Sequence, residues 1–327
     1  MKLKRLEMEG LRNFRERTVI DFTDPLTGAP RDMVVMFGSN GSGKTTVMEV
    51  VEDLLLMAAT PPPRATTIRP RPTRCALEVE RDEYDRSRMG ATTGSITFDV
   101  AAMENTLGPA VLCLHMQQAE TQGIPVTGGL LLFPHNRELY PLQGDPRIEA
   151  SPDDRTWVYR FQTSNQWHGS LEHNWVWLNY LDLENGRAED DGEFSGALDL
   201  LRHVIGPERR IRVWRGRVRV TTPQGDEVLL DELPSGDRQC VMLFGALALQ
   251  RRKGCVVMID EPEISLHPAL QRQVVHALRR FARDYDAQII MATHSPEIVH
   301  SVSRSCVINL DYPDRHYDHT ELESVAQ

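Results

Sequence analysis

A glycine-rich segment with a single lysine is the first part of the sequence whose residue types can do chemistry. Residues 38–45 are GSNGSGKT and match the pattern G-x-x-x-x-G-K-[ST] at every position. A continuous apolar run precedes the segment and helix-forming residues follow it. In such a loop the backbone N–H groups surround a phosphate, and the helix N-terminus adds the positive end of its dipole. The segment therefore predicts a loop that binds nucleotide phosphates.

This loop also supplies a cation and a hydroxyl with separate expected roles. Lys44 can reach the β- and γ-phosphates of ATP, and the hydroxyl of Thr45 can bind Mg²⁺. A glycine-rich turn with a chance lysine is the alternative, which the strand before the loop and the helix after it disfavour. The residues expected to contact ATP here are Gly38, Ser39, Asn40, Gly41, Ser42, Gly43, Lys44, Thr45 and Thr46.

Two adjacent carboxylates, Asp260 and Glu261, end a second apolar run. Ligands of open α/β sheets bind at the carboxyl edge of the strands, so Asp260 can hold Mg²⁺ there, directly or through water. Glu261 can polarise the attacking water, as a general base or a water-positioning group. A strand-end turn capped by acids is the alternative, and the phosphate-binding loop at residues 38–45 favours the catalytic interpretation.

Two shorter motifs accompany the acidic pair. Residues 233–239, LPSGDRQ, open an apolar helix, where Ser235 and Gly236 are also ordinary residues for a helix N-terminus. Residues 291–296, MATHSP, place His294 just past a third apolar run. Neither motif predicts chemistry alone, because a lone histidine or a serine at a helix start is more often structural.

Taken in order, the segments GSNGSGKT, LPSGDRQ, VVMIDEPE and MATHSP resemble an ABC-type ATPase, and more closely the RecF/SMC/OLD-like branch. Members of this branch often begin with a strand–turn–strand whose turn reads L-R-N-F, found here at residues 11–14. The resemblance adds Asn13 of that turn to the expected nucleotide-binding residues. Residues 263–268 resemble the E-x-x-L-H-P element of the branch, and residues 133–137, FPHNR, resemble an element of related small ATPases.

The resemblance implies that two protomers pair head-to-tail when they bind ATP and Mg²⁺. Each composite site would join residues of both chains: Lys44, Thr45, Asp260 and Glu261 from one, with Ser235 and Gly236 from the other. The implied catalytic residues are Lys44, Glu261 and His294, and the implied magnesium ligands are Thr45 and Asp260. The glutamine that such sites carry has three candidates, Gln117, Gln118 and Gln122.

The elements that must position these motifs predict an α/β fold, a P-loop NTPase of the ABC-ATPase type. Alternation at residues 3–8 and 18–22 predicts N-terminal antiparallel strands, which make the sheet mixed. Continuous apolar runs predict buried strands at residues 33–37, 255–259 and 288–292, and helices are expected at 44–59, 235–250 and 268–285. We expect an ATPase core of residues 1–60 and 200–327, with an inserted α+β lid or partner-binding region at 61–199.

Two unusual stretches leave alternatives open. Aromatic residues crowd residues 157–180, where they form either a surface for a partner or a small core of the insert. Arginines crowd residues 202–219, where they either contact DNA phosphates or form the charged outward face of an exposed strand.

Composition excludes several classes of protein. The 327 residues include 37 Lys and Arg against 47 Asp and Glu, a net charge of −10, which argues against a simple nucleic-acid coat protein. The five scattered cysteines argue against a disulfide framework or a zinc site and indicate a reducing cytosol. Since no apolar run approaches the ~18–20 residues of a membrane span, we expect a cytoplasmic protein without a membrane partner.

The resulting functional prediction is a dimeric switch that binds and hydrolyses ATP. It would control a separately encoded effector protein, such as a nuclease, or act on DNA, and the resemblance suggests a role in defence against phage. The alternatives are a chromosome or DNA-repair ATPase subunit, the nucleotide-binding subunit of an ABC transporter, and an assembly scaffold that hydrolyses ATP slowly. Long heptads, which chromosome ATPases carry, are missing from the interval between the P-loop and LPSGDRQ.

Overall fold

A parallel six-stranded sheet holds the motif-bearing strands side by side. The computed structural model describes residues 1–59, 68–69, 71–80, 95–100, 127–144, 146–150, 156–187, 191–206 and 209–311. The strands are β1 (Lys2–Glu9), β2 (Thr18–Asp21), β3 (Met33–Phe37), β4 (Arg74–Glu80), β5 (Ser95–Asp99), β6 (Leu130–Phe133), β7 (Val158–Arg160), β8 (Ile211–Trp214), β9 (Arg217–Thr221), β10 (Glu227–Leu229), β11 (Val256–Asp260), β12 (Gln288–Thr293) and β13 (Val307–Asn309). The helices are α1 (Lys44–Ala59), α2 (Leu171–Glu184), α3 (Glu193–Ile205), α4 (Ser235–Leu249), α5 (Pro268–Tyr285) and α6 (Pro296–His300).

The strand order of the six-stranded sheet is β13-β3-β12-β11-β6-β7, and every neighbouring pair is parallel. Both faces of the sheet are covered, which is why its central strands are continuous apolar runs. Every residue of β11 and β12 is buried. Alternate side chains enter two separate cores: Val257 and Ile259 join the core that includes α4 and α5, while Val256 and Met258 join the one that includes α1.

Two antiparallel sheets complete the fold. The first has the order β2-β1-β4-β5 and contains the predicted N-terminal pair β1–β2. The second has the order β10-β9-β8, so the arginine-rich stretch is a hairpin. The predicted α/β class and P-loop fold are confirmed, and the antiparallel strands that were predicted to make the sheet mixed form sheets of their own beside the parallel one.

Strands within residues 61–199 pair with strands of the sheets that carry the motifs. Strands β4 and β5 extend the antiparallel sheet of β1, and β6 pairs in parallel with the motif strand β11. These strands therefore join the sheets of β1 and β11, and the division into a core of residues 1–60 and 200–327 and an insert at 61–199 stays a prediction. Short apolar runs do not indicate in sequence which distant strand they will pair with, because pairing is a long-range contact.

The aromatic stretch contains a helix, α2, that the sequence did not reveal. The helix also buries polar residues, including Glu172 and His173, so its apolar positions do not form one clear stripe. Trp175 is fully buried and lies in the main core, while Trp177 and Tyr180 stack on the helix surface with ring centroids 5.3 Å apart. Most of the stretch is thus core, and only its outer rings could meet a partner.

Asp182, near the end of α2, supports the start of the next helix. Its buried carboxylate accepts hydrogen bonds from the N–H groups of Glu193 and Phe194, at 2.9 Å each, and so caps the start of α3. In the described parts of the chain, no helix is both long enough and apolar enough to cross a membrane.

The contact between α2 and α4 gives a test of the packing. A Cβ added at Gly245 would lie 2.6 Å from Cζ2 of Trp175 and 3.0 Å from both Cδ atoms of Leu171. We expect Gly245→Ala to destabilise the protein by about 1–3 kcal/mol through overpacking. Gly196 of α3 is the matched control, because its added Cβ would have 3.8 Å to the nearest atom, Nη2 of Arg251. Gly196→Ala should leave the free energy of unfolding unchanged or raise it by up to about 1 kcal/mol. Urea denaturation measures this free energy for both variants, and equal effects of the two substitutions would contradict the packing.

Candidate nucleotide-binding site

The glycine-rich loop lies between β3 and α1, as its motif predicts. Gly41 and Gly43 have φ angles of 85° and 101°, a region that residues with a Cβ avoid. Nζ of Lys44 folds back into the loop and donates to the carbonyl oxygens of Gly38 at 2.8 Å and Ser39 at 2.9 Å. Burial lowers the pKa of Lys44, against the attraction of Asp311 and other carboxylates nearby. The loop thus holds a desolvated cation at the point where phosphate oxygens would meet it.

The L-R-N-F turn packs directly on this loop. A Cβ at Gly43 would lie 2.6 Å from Cζ of Phe14, so the ring of Phe14 occupies the space that glycine leaves. Arg12, with φ of 46°, donates through Nη1 to Oγ1 of Thr46 at 3.3 Å and to Glu49 at 2.5 Å. Asn13 is exposed at the tip of the turn. Its neighbours make the contacts to the loop, and its own role toward a nucleotide stays a prediction.

Asp260 and Thr45 meet at the carboxyl edge of the sheet. Oγ1 of Thr45 donates to Oδ2 of Asp260 at 3.0 Å. A hydroxyl and a carboxylate oxygen are the hard ligands that Mg²⁺ takes in phosphate sites, and a cation of that size would replace the hydrogen bond between them. The donor set therefore fits a magnesium ion held by these two residues. Nδ1 of His135, in the FPHNR segment, lies 3.6 Å from the same Oδ2.

A line of three charged or polar groups crosses this edge, from Lys44 through His294 to Glu261. Nζ of Lys44 is 3.4 Å from Nδ1 of His294, and Nε2 of His294 is 3.7 Å from Oε1 of Glu261. Because an ammonium group only donates, Nδ1 is the acceptor and Nε2 carries the hydrogen that faces the carboxylate. The three predicted catalytic residues are thus brought together by the fold.

His294 is held in place by Glu263, which sequence analysis gave only as the first residue of E-x-x-L-H-P. Oε1 of Glu263 accepts from the backbone N–H of His294 at 2.8 Å and from the Thr293 hydroxyl at 2.7 Å. The carboxylate therefore fixes the end of β12, and with it the histidine. A similar clamp acts on the loop, where Asp311 accepts from the backbone N–H of Ser39 at 2.8 Å and from its hydroxyl at 2.7 Å.

Ser235 and Gly236 begin α4. An added Cβ at Gly236 would lie 3.0 Å from the carbonyl oxygen of Ser265, so glycine allows α4 to approach the 263–268 segment closely. Ser235 is exposed, and Asp237 of the same turn pairs with Arg209. Within the described residues, no hydrogen bond joins Ser235 or Gly236 to the phosphate loop. The glutamine candidates Gln117, Gln118 and Gln122 lie outside the described residues.

Arg137 takes a part in this site that the sequence motifs did not predict. The residue follows β6 and is buried beneath the Asp260–Glu261 backbone, where its guanidinium donates to both carbonyl oxygens. The only sequence signal was the FPHNR segment, since a lone arginine after a strand end is usually exposed.

Two family models match this chain. Residues 140–300 match the model described as "AAA domain, putative AbiEii toxin, Type IV TA system", and residues 5–66 match one described as "AAA domain". Among curated proteins, the thiamine import ATP-binding protein ThiQ of Photobacterium profundum is 32% identical over 78 residues, 24% of this chain and 31% of ThiQ. Structural maintenance of chromosomes protein 3 of Arabidopsis thaliana is 34% identical over 95 residues, 28% of this chain and 8% of that protein. These matches span less than a third of either relative.

Solved structures extend the likeness to nearly the whole chain. An Smc head bound to the C-winged helix domain of ScpA gives a TM-score of 0.53 at 12% identity, covering 92% of this chain and 93% of that one. An Smc head domain with an extended coiled coil, bound to the C-terminal domain of ScpA derived from Pyrococcus furiosus, gives 0.51 at 12% identity, covering 92% of both chains. These two likenesses show the fold.

The phosphate loop, the Asp260–Glu261 strand end and the sheet order define the class of protein. The AAA-domain matches, the ABC and SMC relatives and the Smc-head fold together support an ABC/SMC-like ATPase. The ABC-type class that the four sequence motifs predicted is confirmed, and so is the P-loop fold.

Lys44 offers the most direct test of the site. We expect Lys44→Ala to weaken the binding of MgATP by about 10- to 100-fold, because a hydrogen bond to a charged group contributes about 1.5–3 kcal/mol. Isothermal titration calorimetry measures the dissociation constant, and Lys253→Ala, at an exposed lysine far along the chain, is the control. Equal affinities of Lys44→Ala and wild type would show that this loop is not the phosphate site.

Proposed function

We propose that this chain binds MgATP in composite sites between two of its copies and hydrolyses it as a switch that controls a partner effector. The observation that carries the proposal is the convergence of Lys44, His294 and Glu261 beside the Thr45–Asp260 pair at one sheet edge. These are the groups that phosphoryl transfer to water needs: a cation for the phosphates, oxygen ligands for a metal ion and a carboxylate for water.

Each of these side chains has a distinct part in the proposed hydrolysis. Lys44 moves from the loop carbonyls to the β- and γ-phosphates, exchanging neutral acceptors for charged ones. Thr45 and Asp260 would hold Mg²⁺, which would supply positive charge beside the phosphate oxygens. Glu261 takes a proton from the attacking water, and His294 donates through Nε2–H to the group that it faces.

The second half of each site is proposed to come from the other copy. The N-terminus of α4 has Pro234 as its cap residue, which makes no side-chain hydrogen bond to the helix. The N–H groups of the first turn therefore lack a side-chain cap and, with exposed Ser235, can receive the γ-phosphate of a facing subunit. Within one chain, a nucleotide in the phosphate loop already faces the N-terminus of α1. The N-terminus of α4 is therefore proposed to serve the nucleotide of the other copy.

A protein partner is the more strongly supported target of the switch. The two Smc heads that share this fold are each bound to a domain of ScpA, and the model matched by residues 140–300 is described with a toxin. Both observations concern other proteins, and they support a protein effector for this chain. In its specific form, the proposal is that the effector is a nuclease and that the two proteins act in defence against phage.

Action on DNA is the second candidate, and one observation at the β8–β9 turn favours it. Trp214 is 51% exposed, and the guanidinium carbons of Arg212 and Arg215 lie 5.5 and 5.8 Å from its ring centroid. A half-exposed aromatic ring between two arginines can stack a base and hold a phosphate. Two ion pairs argue against a broad basic patch here, because Arg212 pairs with Glu227 and Arg217 pairs with Glu172.

Single-turnover hydrolysis by the purified chain, with and without DNA, separates these functions. A switch for a protein effector should hydrolyse ATP at a rate that DNA leaves unchanged. A chromosome or repair ATPase should be stimulated by DNA, and Trp214→Ala should then remove the stimulation. A scaffold should bind ATP while releasing phosphate far more slowly than either.

Glu261 tests the proposed chemistry. Glu261→Gln keeps the size and the hydrogen-bonding capacity of the side chain but removes the base, so we expect kcat to fall about 100- to 10,000-fold. ATP affinity should stay close to that of the wild type, and ATP should trap the dimer, which light scattering detects. Wild-type turnover in Glu261→Gln would assign the base to another residue.

The composite arrangement is tested by mixing two inactive variants. Ser235 is exposed, so Ser235→Arg should fold and bind ATP in a single subunit but block pairing; Ser305→Arg, at another exposed serine, is the control. Mixing Ser235→Arg with Lys44→Ala protein should restore partial hydrolysis, because one site of the mixed dimer contains both defects and the other contains neither. Normal ATP-driven pairing of Ser235→Arg would leave a monomeric switch as the better interpretation.

A further inference from the structure

Arg137 is a buried cation whose hydrogen bonds go to the main chain. It is 2% exposed, and its Nη1 donates to the carbonyl oxygens of Pro134 at 2.5 Å and Asp260 at 2.7 Å. Nη2 donates to the carbonyl oxygen of Glu261 at 2.9 Å. Within the described residues, it makes no ion pair with a carboxylate. The guanidinium thus holds two successive carbonyl groups of the acidic strand end.

Such a group is costly to bury. Burial lowers the pKa of Arg137 to about 10, so the side chain still carries its charge at neutral pH. An apolar side chain of similar volume is often at least as stabilising as a buried charge, so packing alone gives little reason for an arginine here. Two carbonyl groups held by one planar fork do give a reason, because a guanidinium fixes their relative orientation and an ammonium group does not.

The residue that this fork fixes is in a strained conformation. Glu261 has a φ of 47°, a left-handed conformation that costs a non-glycine residue about 1–2 kcal/mol. Its N–H donates to the carbonyl oxygen of Ala292 at 2.8 Å, and its own carbonyl receives Arg137. The two hydrogen bonds keep the backbone in the conformation that turns the Glu261 side chain toward His294.

The same arginine is tied to α4 through its main chain. Nε2 of Gln239 donates to the carbonyl oxygen of Arg137 at 2.6 Å. Gln239 is four residues after Ser235, on the same face of α4 and one turn further along. Nε of Arg137 and Oε1 of Gln239 are buried and have no partner in this conformation, which leaves one donor and one acceptor unused in this contact.

We propose that Arg137 and Gln239 form a positioning relay that connects the N-terminus of α4 with the backbone of Glu261. The inference rests on the proposed function, in which Ser235 serves the nucleotide of one site and Glu261 serves that of the other. A displacement of α4 by a phosphate is then passed through Gln239 and Arg137 to the carboxylate. Hydrolysis in one composite site thereby depends on occupation of the second.

Arg137→Lys and Gln239→Leu interrupt the relay at different points. The lysine keeps a charge but loses the fork, and the leucine keeps the volume but cannot donate to Arg137. Arg252→Lys is the matched control, because buried Arg252 likewise donates to main-chain carbonyls, those of Leu130, Thr156 and Trp157, at the opposite edge of the sheet.

Single-turnover hydrolysis at saturating MgATP is the first measurement. We expect Arg137→Lys and Gln239→Leu each to lower the rate about 10- to 100-fold, the usual effect of losing a supporting contact behind a reacting group. The double variant should fall no further than the more affected single variant, since both changes break one connection. ATP affinity should stay within about threefold, as expected for residues outside direct reach of the nucleotide. Wild-type rates in both variants, or effects that multiply in the double variant, would overturn the relay.

Amide hydrogen exchange gives a readout that does not depend on hydrolysis. In the absence of nucleotide, the Glu261 amide should exchange faster in Arg137→Lys and in Gln239→Leu than in wild type, and at the wild-type rate in Arg252→Lys. Unchanged exchange in both variants would overturn the relay even if the chain is an active ATPase. Equal hydrolysis by Glu261→Gln and wild type, with exchange altered as expected, would instead reject the proposed role of Glu261. If Arg137→Lys fails to fold, Gln239→Leu, at a partly exposed position, decides alone.

Discussion

The register of three parallel strands is the constraint on which the site depends. Strand β12 lies between β3 and β11, and it pairs Thr293 with Phe37 on one side and Ala292 with Asp260 on the other. The residues that follow these strand ends therefore start at one level, although they are far apart in sequence. A shift of one residue would turn buried side chains to the opposite face, so the two apolar cores fix the site as firmly as any contact within it.

Carboxylates that accept backbone N–H groups form a second layer of support. Glu263 holds the end of β12, Asp311 holds the start of the phosphate loop, and Asp182 caps α3. Glu172 is buried as well and accepts from the N–H of Val218, which joins α2 to β9. Carboxylates of this kind satisfy main-chain donors inside the fold, so part of the acidic excess of this chain is structural rather than a solvated surface.

The arginines in and next to the β8–β9 hairpin also use their charge within the fold, because several of them pair with carboxylates. In sequence the residues of this hairpin form a basic run next to an acidic one, but several pair within the fold. Arg209 contacts Asp237 at the start of α4, Arg212 contacts Glu227, and Arg217 contacts buried Glu172. The hairpin therefore ties α2 and the start of α4 together, and what remains for a ligand is concentrated at its turn, around Trp214.

The local elements and the residue types of the site can be predicted from the amino-acid sequence. Two-sided burial makes β3, β11 and β12 continuous apolar runs, and the positive φ angles of Gly41 and Gly43 favour glycine, so each can be predicted from neighbours along the chain. Three other features become visible in the folded chain: β4 to β7 pair into the sheets of β1 and β11, the aromatic stretch contains α2, and Arg137 lies beneath Glu261. These depend on contacts between residues far apart in sequence, in which a short strand can pair with several others and one arginine can reach many carbonyl groups. Periodicity and spacing carry no information about which of those contacts forms, because that choice is made by packing of the whole chain.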